Sequence, residues 1–382
     1  MMIGLRKYTT KRPPTLILTF SVIFFVIIVT AYIYSTPTTP QRPEKCSFYS
    51  SEGCRTRDLF PNTQFSRELT DQEIESRVVV KDLLNFVPLQ TTTPKVAFMF
   101  MTPGSLPFEK LWHLFFQGHE GKFSVYVHAS KEKPRHISKY FIGREIHSEP
   151  VSWGSFAMVE AERRLLANAL LDPDNHHFVL LSDSCVPIRH FEFVYSYLMY
   201  TNVSFIECFL DPGPHGNGRF IKYMLPEVEL KDFRKGSQWF TMKRQHAIIV
   251  IADSLYYTKF KYHCRPNMEG GRNCYSDEHY LPTLFHMLDP GGISNWSVTY
   301  VDWSEGKWHP RTFAGRDVNY DVLKALTSFD QSPHITSELK RTILMTPCMW
   351  NGSKQPCYLF ARKFYPDALE RLMYFFYNTT TI

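Results

Sequence analysis

Residues 16 to 34 read LILTFSVIFFVIIVTAYIY, 19 consecutive positions without a charge. At about 1.5 Å rise per residue, a helix of that length covers the roughly 30 Å hydrocarbon core of a bilayer. A cleaved secretory signal would carry a shorter apolar region, about 7 to 15 residues, ending in small residues. Here Tyr32, Ile33 and Tyr34 close the run, so it reads as an uncleaved anchor. Arg6, Lys7, Lys11 and Arg12 precede it, whereas Arg42 and Lys45 are sparse after it. That positive-inside bias places the N-terminus in the cytosol and everything after about Ser35 in a lumen.

The cysteines and sequons agree with that side of the membrane. Asn202-Val-Ser204, Asn295-Trp-Ser297, Asn351-Gly-Ser353 and Asn378-Thr-Thr380 are glycosylation sequons, all beyond the span. Eight cysteines include the locally spaced pairs Cys46 and Cys54, Cys264 and Cys274, and Cys348 and Cys357, as suits an oxidising compartment. Cys185 and Cys208 read instead as apolar strand-end residues able to stay free thiols. Of the net charge of +6, four positive charges belong to the tail before the anchor, which leaves the lumenal part nearly neutral. With no basic block, a nucleic-acid partner held by phosphate neutralisation is excluded.

The organisation follows as a cytosolic tail (1–15), a transmembrane anchor (16–34), a Pro- and Thr-containing polar stem (35–94) and a lumenal domain (95–382). Within the stem only Asp71 to Leu84 has helical character. From Lys95 short apolar runs alternate with helical patterns, the mark of an α/β domain. Lys95 to Thr102, Phe123 to Ala129, His177 to Asp183 and Ser204 to Leu210 read as strands. Phe108 to Gln117, Ser155 to Leu171 and Phe191 to Tyr200 read as helices.

Open α/β sheets bind ligands beyond the carboxyl ends of their strands. That rule singles out His128, Asp183 and Asp211. Asp277 and Glu278 precede Leu281, Leu284, Phe285 and Leu288 at helical spacing, with Pro282 expected in the first turn. There the helix dipole favours the charged carboxylate, as a cap or as a catalytic base. Gly236-Ser-Gln-Trp-Phe240 combines an amide and aromatics suited to a sugar ring, and Val301-Asp-Trp-Ser304 supplies a second tryptophan. Arg362 and Lys363 stand between apolar residues that would tether them, and two such cations can neutralise a diphosphate.

In order along the chain, KVAFMFMTPG from Lys95, FSVYVHAS from Phe123, VSWGSFAMVEAERRLLANAL from Val151 and FVLLSDSCVPI from Phe178 are followed by KGSQWF from Lys235, YSDEHYLPTL from Tyr275, VDWSEGKWHPRTF from Val301 and LFARKF from Leu359. Together they resemble the core-2/I-branching beta-1,6-N-acetylglucosaminyltransferase family, glycosyltransferase family 14, and within it the plant brittle-culm type. The resemblance covers about Lys95 to Phe376. It implies a GT-A-like, Rossmann-type α/β domain in a Golgi type II membrane protein, and metal-independent, inverting transfer of sugar from a UDP donor to a glycan or glycoprotein. N-acetylglucosamine is the implied sugar, with other UDP-sugars as alternatives.

The same resemblance implies Glu278 as the base and Lys363 as the residue replacing a metal at the diphosphate, partnered by Arg311 or Arg362. His128 and Asp183 are the further donor-side candidates from the strand ends, and Trp239, Trp303 and Asp277 the acceptor-side candidates. Asp183 stands two positions from the family's strand-end aspartate, which matches Cys185. The strand end therefore reads Asp183-Ser-Cys185, without the second carboxylate of a metal-binding Asp-x-Asp. Two other classes compete. One is a lumenal partner that keeps the fold without catalysis, against which the presence of both Glu278 and Lys363 speaks. The other is a hydrolase using Asp277 and Glu278, which as neighbours would not readily flank one glycosidic bond.

Overall fold

A computed structural model describes residues 68–84, 93–268, 271–307, 309–350 and 352–378. The expected anchor Leu16 to Tyr34, the stem as far as residue 67, and Cys46 and Cys54 lie outside them. None of the described helices is long and apolar enough to cross a membrane.

In chain order the helices are α1 (Asp71–Leu84), α2 (Glu109–Phe116), α3 (Ala157–Leu170), α4 (Phe191–Met199), α5 (Arg244–Ala252), α6 (Leu255–His263), α7 (Ser276–Leu288), α8 (Tyr320–Ser328) and α9 (Leu369–Asn378). The strands are β1 (Lys95–Thr102), β2 (Phe123–Ala129), β3 (Asn175–Ser182), β4 (Val186–Pro187), β5 (Ser204–Glu207), β6 (Thr241–Lys243), β7 (Ile293–Asn295) and β8 (Thr299–Val301), then β9 (Gln331–Ile335), β10 (Ile343–Pro347), β11 (Met349–Trp350), β12 (Ser353–Lys354) and β13 (Phe360–Arg362).

The run VAFMF of β1 is wholly buried because helices cover both faces of its sheet, so apolar residues need not alternate. That sheet has the order β2-β1-β3-β6-β5-β7. β1 is parallel to β2 and β3, and β6 is antiparallel to both β3 and β5. A second sheet, β4-β13-β8, lies beside the end of β3 and carries Arg362. Phe98 of β1 joins the layers, its ring lying 5.0 to 6.4 Å from those of Trp112, Phe115, Phe116, Phe191 and Phe360.

The expected strand from Ser204 stops at Glu207 rather than Leu210. Phe209 leaves the sheet to bridge Lys235, and the Cys208 N–H donates to the Asn295 carbonyl. Helix α1, in the stretch read as stem, is tied to α3 by Asp71 with Arg164 (2.7 Å) and Glu75 with Arg163 (3.2 Å). Disulfides join Cys264 to Cys274 and Cys348 to Cys357, while Cys185 and Cys208 are buried free thiols.

Because five aromatic rings surround Phe98, Phe98→Ala leaves a cavity they cannot refill, and should cost about 3–5 kcal/mol in denaturant unfolding. A loss below about 1 kcal/mol would mean that the rings collapse onto the gap.

Candidate active site

Helix α7 begins at Ser276, so Asp277 and Glu278 fall in its first turn as expected, but Pro282 sits inside the helix rather than at its start. A proline has no N–H, so the carbonyl four positions back, that of Glu278, loses its helical donor. The Gly236 N–H donates to that carbonyl instead, at 2.9 Å. Only glycine fits there: a Cβ on residue 236 would overlap the Glu207 carbonyl and come within 2.8 Å of the Pro282 ring. Segment 234–240 is thereby pinned against the helix that carries the proposed base.

Three carboxyl groups gather at this end. Glu278 Oε2 accepts from Arg219 Nη1 at 2.6 Å, and the Glu278 side chain is 28% exposed. The Arg219 guanidinium lies 4.6 Å over the Tyr275 ring. Its Nη1 also reaches His279 Nε2 at 3.2 Å, while His279 Nδ1 lies 2.7 Å from the Arg234 carbonyl. Burial first, then Arg219, holds His279 well below its usual value and therefore neutral, with Nδ1 donating and Nε2 accepting. Burial, then the Glu278 charge, pushes Asp277 up to about 7. Its Oδ1 is buried and has no hydrogen-bond partner among the described residues. Glu162 of α3 is buried, accepts from Gln238 Nε2 at 2.9 Å, and is raised well above its usual value by burial and then by Asp277.

The opposite end collects the cations. Arg362 pairs in register with Val301 of β8, which brings Lys363 beside the strand's continuation at Asp302. The Lys363 carbonyl accepts from Phe313 N at 2.7 Å, and Phe364 N donates to Ser184 O at 3.2 Å. Arg311, 39% exposed, faces Asp302 at 3.9 Å and Asp317 at 3.7 Å. Asp183 is half-buried: burial raises its carboxyl, and the charges of Arg362 and Lys363 oppose that rise. The structure thus brings Arg362, Lys363 and Asp183 together, with Arg311 on the neighbouring Asp302. The Arg362 guanidinium lies 3.9 Å over the Trp239 ring, and its Nε is buried without a partner among the described residues. Gln238 and Trp239 are adjacent, so one short loop segment touches both ends of the site. No group of three or more His, Cys, Asp or Glu side chains among the described residues is arranged to hold a metal ion.

Two expected ligand contacts are corrected. Trp239 offers no surface to a sugar: it is 5% exposed and Arg362 covers a face of its ring. His128 is fully enclosed, with Nε2 at 3.2 Å from Arg164 and accepting from Glu149 N at 3.3 Å. Burial, then Arg164, lowers it to about 4, so it is a neutral internal pin for α3. Asp211 is also internal. It accepts from the N–H groups of Gly213 and Ser337 and the Ser337 hydroxyl, shaping the loop that delivers Arg219. Trp303 is 44% exposed, and Asp277, half-buried, stands beside Glu278 in the first turn of α7. Among the sequons, Asn202 and Asn295 are exposed, whereas Asn351 and the Asn378 side chain lie outside the described residues. Arg219, Glu162 and the exposed Trp153 escaped the sequence reading. The glycines at 213, 216 and 218 mark the Arg219 loop, but nothing local says that it folds back onto α7.

A parallel-rich α/β sheet with a carboxylate helix and a cation cluster beyond its strand ends is the class of a GT-A-like transferase domain. The chain belongs to the core-2/I-branching enzyme family, whose sequence profile matches residues 96–327. It is 36% identical over 312 residues to glycosyltransferase BC10 of Oryza sativa subsp. japonica, an alignment covering 72% of this chain and 75% of that one. The protein is a glycosyltransferase.

The native Asp277 carboxyl titrates near 7, against an ordinary value of 3.8. Between those values the native state keeps a proton that the unfolded chain has released, so this group's contribution to stability is lost as pH rises from about 4 through about 7. Asp277→Asn cannot ionise, so its denaturant midpoint relative to wild type should climb across that window. Parallel profiles would place the proton elsewhere.

Proposed function

We propose that the protein is an inverting Golgi glycosyltransferase of type II membrane topology. It transfers a sugar, N-acetylglucosamine in our reading, from a UDP donor to a hydroxyl of a glycan or glycoprotein. The observation that carries the reading is that segment 234–240 holds a carboxylate end and a cation end in fixed relation, through Gly236 on Glu278 and Trp239 under Arg362.

In the proposed step the acceptor hydroxyl gives its proton to Glu278 as its oxygen bonds to the anomeric carbon. The bond from that carbon to the diphosphate oxygen breaks on the opposite face, and the electron pair leaves with UDP. Arg219 holds Oε2, which leaves the other carboxylate oxygen to take the proton. Base catalysis of this kind contributes about 10² to 10⁴ in rate. The charge growing on UDP meets Lys363, flanked by Arg362 and Arg311. Fixed cations in a site shielded from water need no reorganisation at that moment. A divalent ion is not required, because these side chains supply the positive charge.

Glu278→Gln should lower transfer by about 10² or more while UDP affinity is kept. Near wild-type turnover would remove Glu278 as the base. Excess EDTA should leave the rate within about twofold, whereas a loss restored by manganese would overturn the cationic diphosphate site.

A further inference from the structure

Trp153 is 64% exposed, although large aromatic side chains are ordinarily well covered. It is not a loose surface residue. Its ring lies 5.1 Å from that of Tyr275 and 5.7 Å from that of His309. Gly154 follows it with a φ of +73°, and a Cβ there would come within 2.8 Å of the Tyr275 ring, so the turn is shaped to bring this indole against Tyr275. The Gly154 N–H is also anchored, donating to Met158 Sδ of α3 at 3.1 Å.

Tyr275 connects this ring to the chemistry. The residue stands immediately before α7, and its own ring carries the Arg219 guanidinium that binds Glu278. His309 lies on the segment that runs from Asp302 to Arg311, at the cation end. Trp153 therefore stands where the segments bearing the base and the cations meet, with its indole still open to solvent. The apolar C–H face of a pyranose, carrying slight positive charge, complements the negative face of an indole and removes both from water.

We propose that Trp153 is the stacking platform for a pyranose ring, either the sugar of the nucleotide donor or the terminal sugar of the acceptor. The inference rests on the transferase reading above, and a titration of the full-length chain separates the two. UDP, UDP-N-acetylglucosamine and methyl β-D-galactopyranoside are titrated into wild type, Trp153→Ala and Trp153→Phe.

Trp153→Ala should hold UDP with a Kd within about twofold of wild type and lose about tenfold for a sugar-bearing probe, while Trp153→Phe recovers most of the loss. A loss on the UDP-sugar assigns the donor ring, and a loss on the galactoside assigns the acceptor ring. Unchanged affinity for both sugar probes overturns the platform, as does an equal loss for UDP alone, which would show a structural role. Failure of the wild-type chain to bind UDP at all would instead remove the transferase reading on which the platform rests.

Discussion

One hydrogen bond organises the site: the Gly236 N–H to the Glu278 carbonyl that Pro282 leaves unpaired. A proline inside a helix ordinarily costs about 3 kcal/mol through the lost bond and its clash with the carbonyl. Here the freed acceptor docks a loop at a place where only a glycine can approach. From that point the chain runs through Gln238, which donates to Glu162, and Trp239, which lies beneath Arg362. Glu278 and Arg362 are therefore both positioned by one short segment, the kind of support that the proposed catalytic constellation needs.

Electrostatics at the two ends follow from burial. Glu162, Asp277 and Glu278 stand close together, and burial raises the carboxyls of Glu162 and Asp277 above their usual values. Glu278, partly exposed, is the member that bonds to Arg219. Burial and the Arg219 contact thus give three chemically similar groups different surroundings. At the other end Asp183 offsets part of the Arg362 and Lys363 charge, so that cations can gather there before an anionic ligand arrives.

Much of the first half of the fold was legible. The bounds of β1, β2 and α1 match the sequence pattern, because their apolar runs are long and the neighbouring turns polar. Glu278 and Lys363 were placed by resemblance; in the structure Glu278 lies in the first turn of α7 and Lys363 directly follows β13. Less was legible from β6 onward, where β6, β7, β8 and β13 are each only three residues long and carry no readable period. The Trp239 error has a related cause: a tryptophan's exposure depends on what packs against it, and its cover, Arg362, is more than a hundred residues away. Arg219 was missed for the same reason, since its approach to Glu278 is set by Asp211 gripping the loop, not by spacing. His128 obeyed the strand-end rule in position, but its side chain is enclosed beside α3.

The most direct measurement is an experimental structure of the full chain bound to a UDP-sugar. The account predicts the β-phosphate within hydrogen-bond distance of Lys363 Nζ, and the Glu278 carboxylate facing the anomeric carbon from the side opposite the diphosphate. A diphosphate bound away from Lys363, or lying on the same face of the sugar as Glu278, would contradict it.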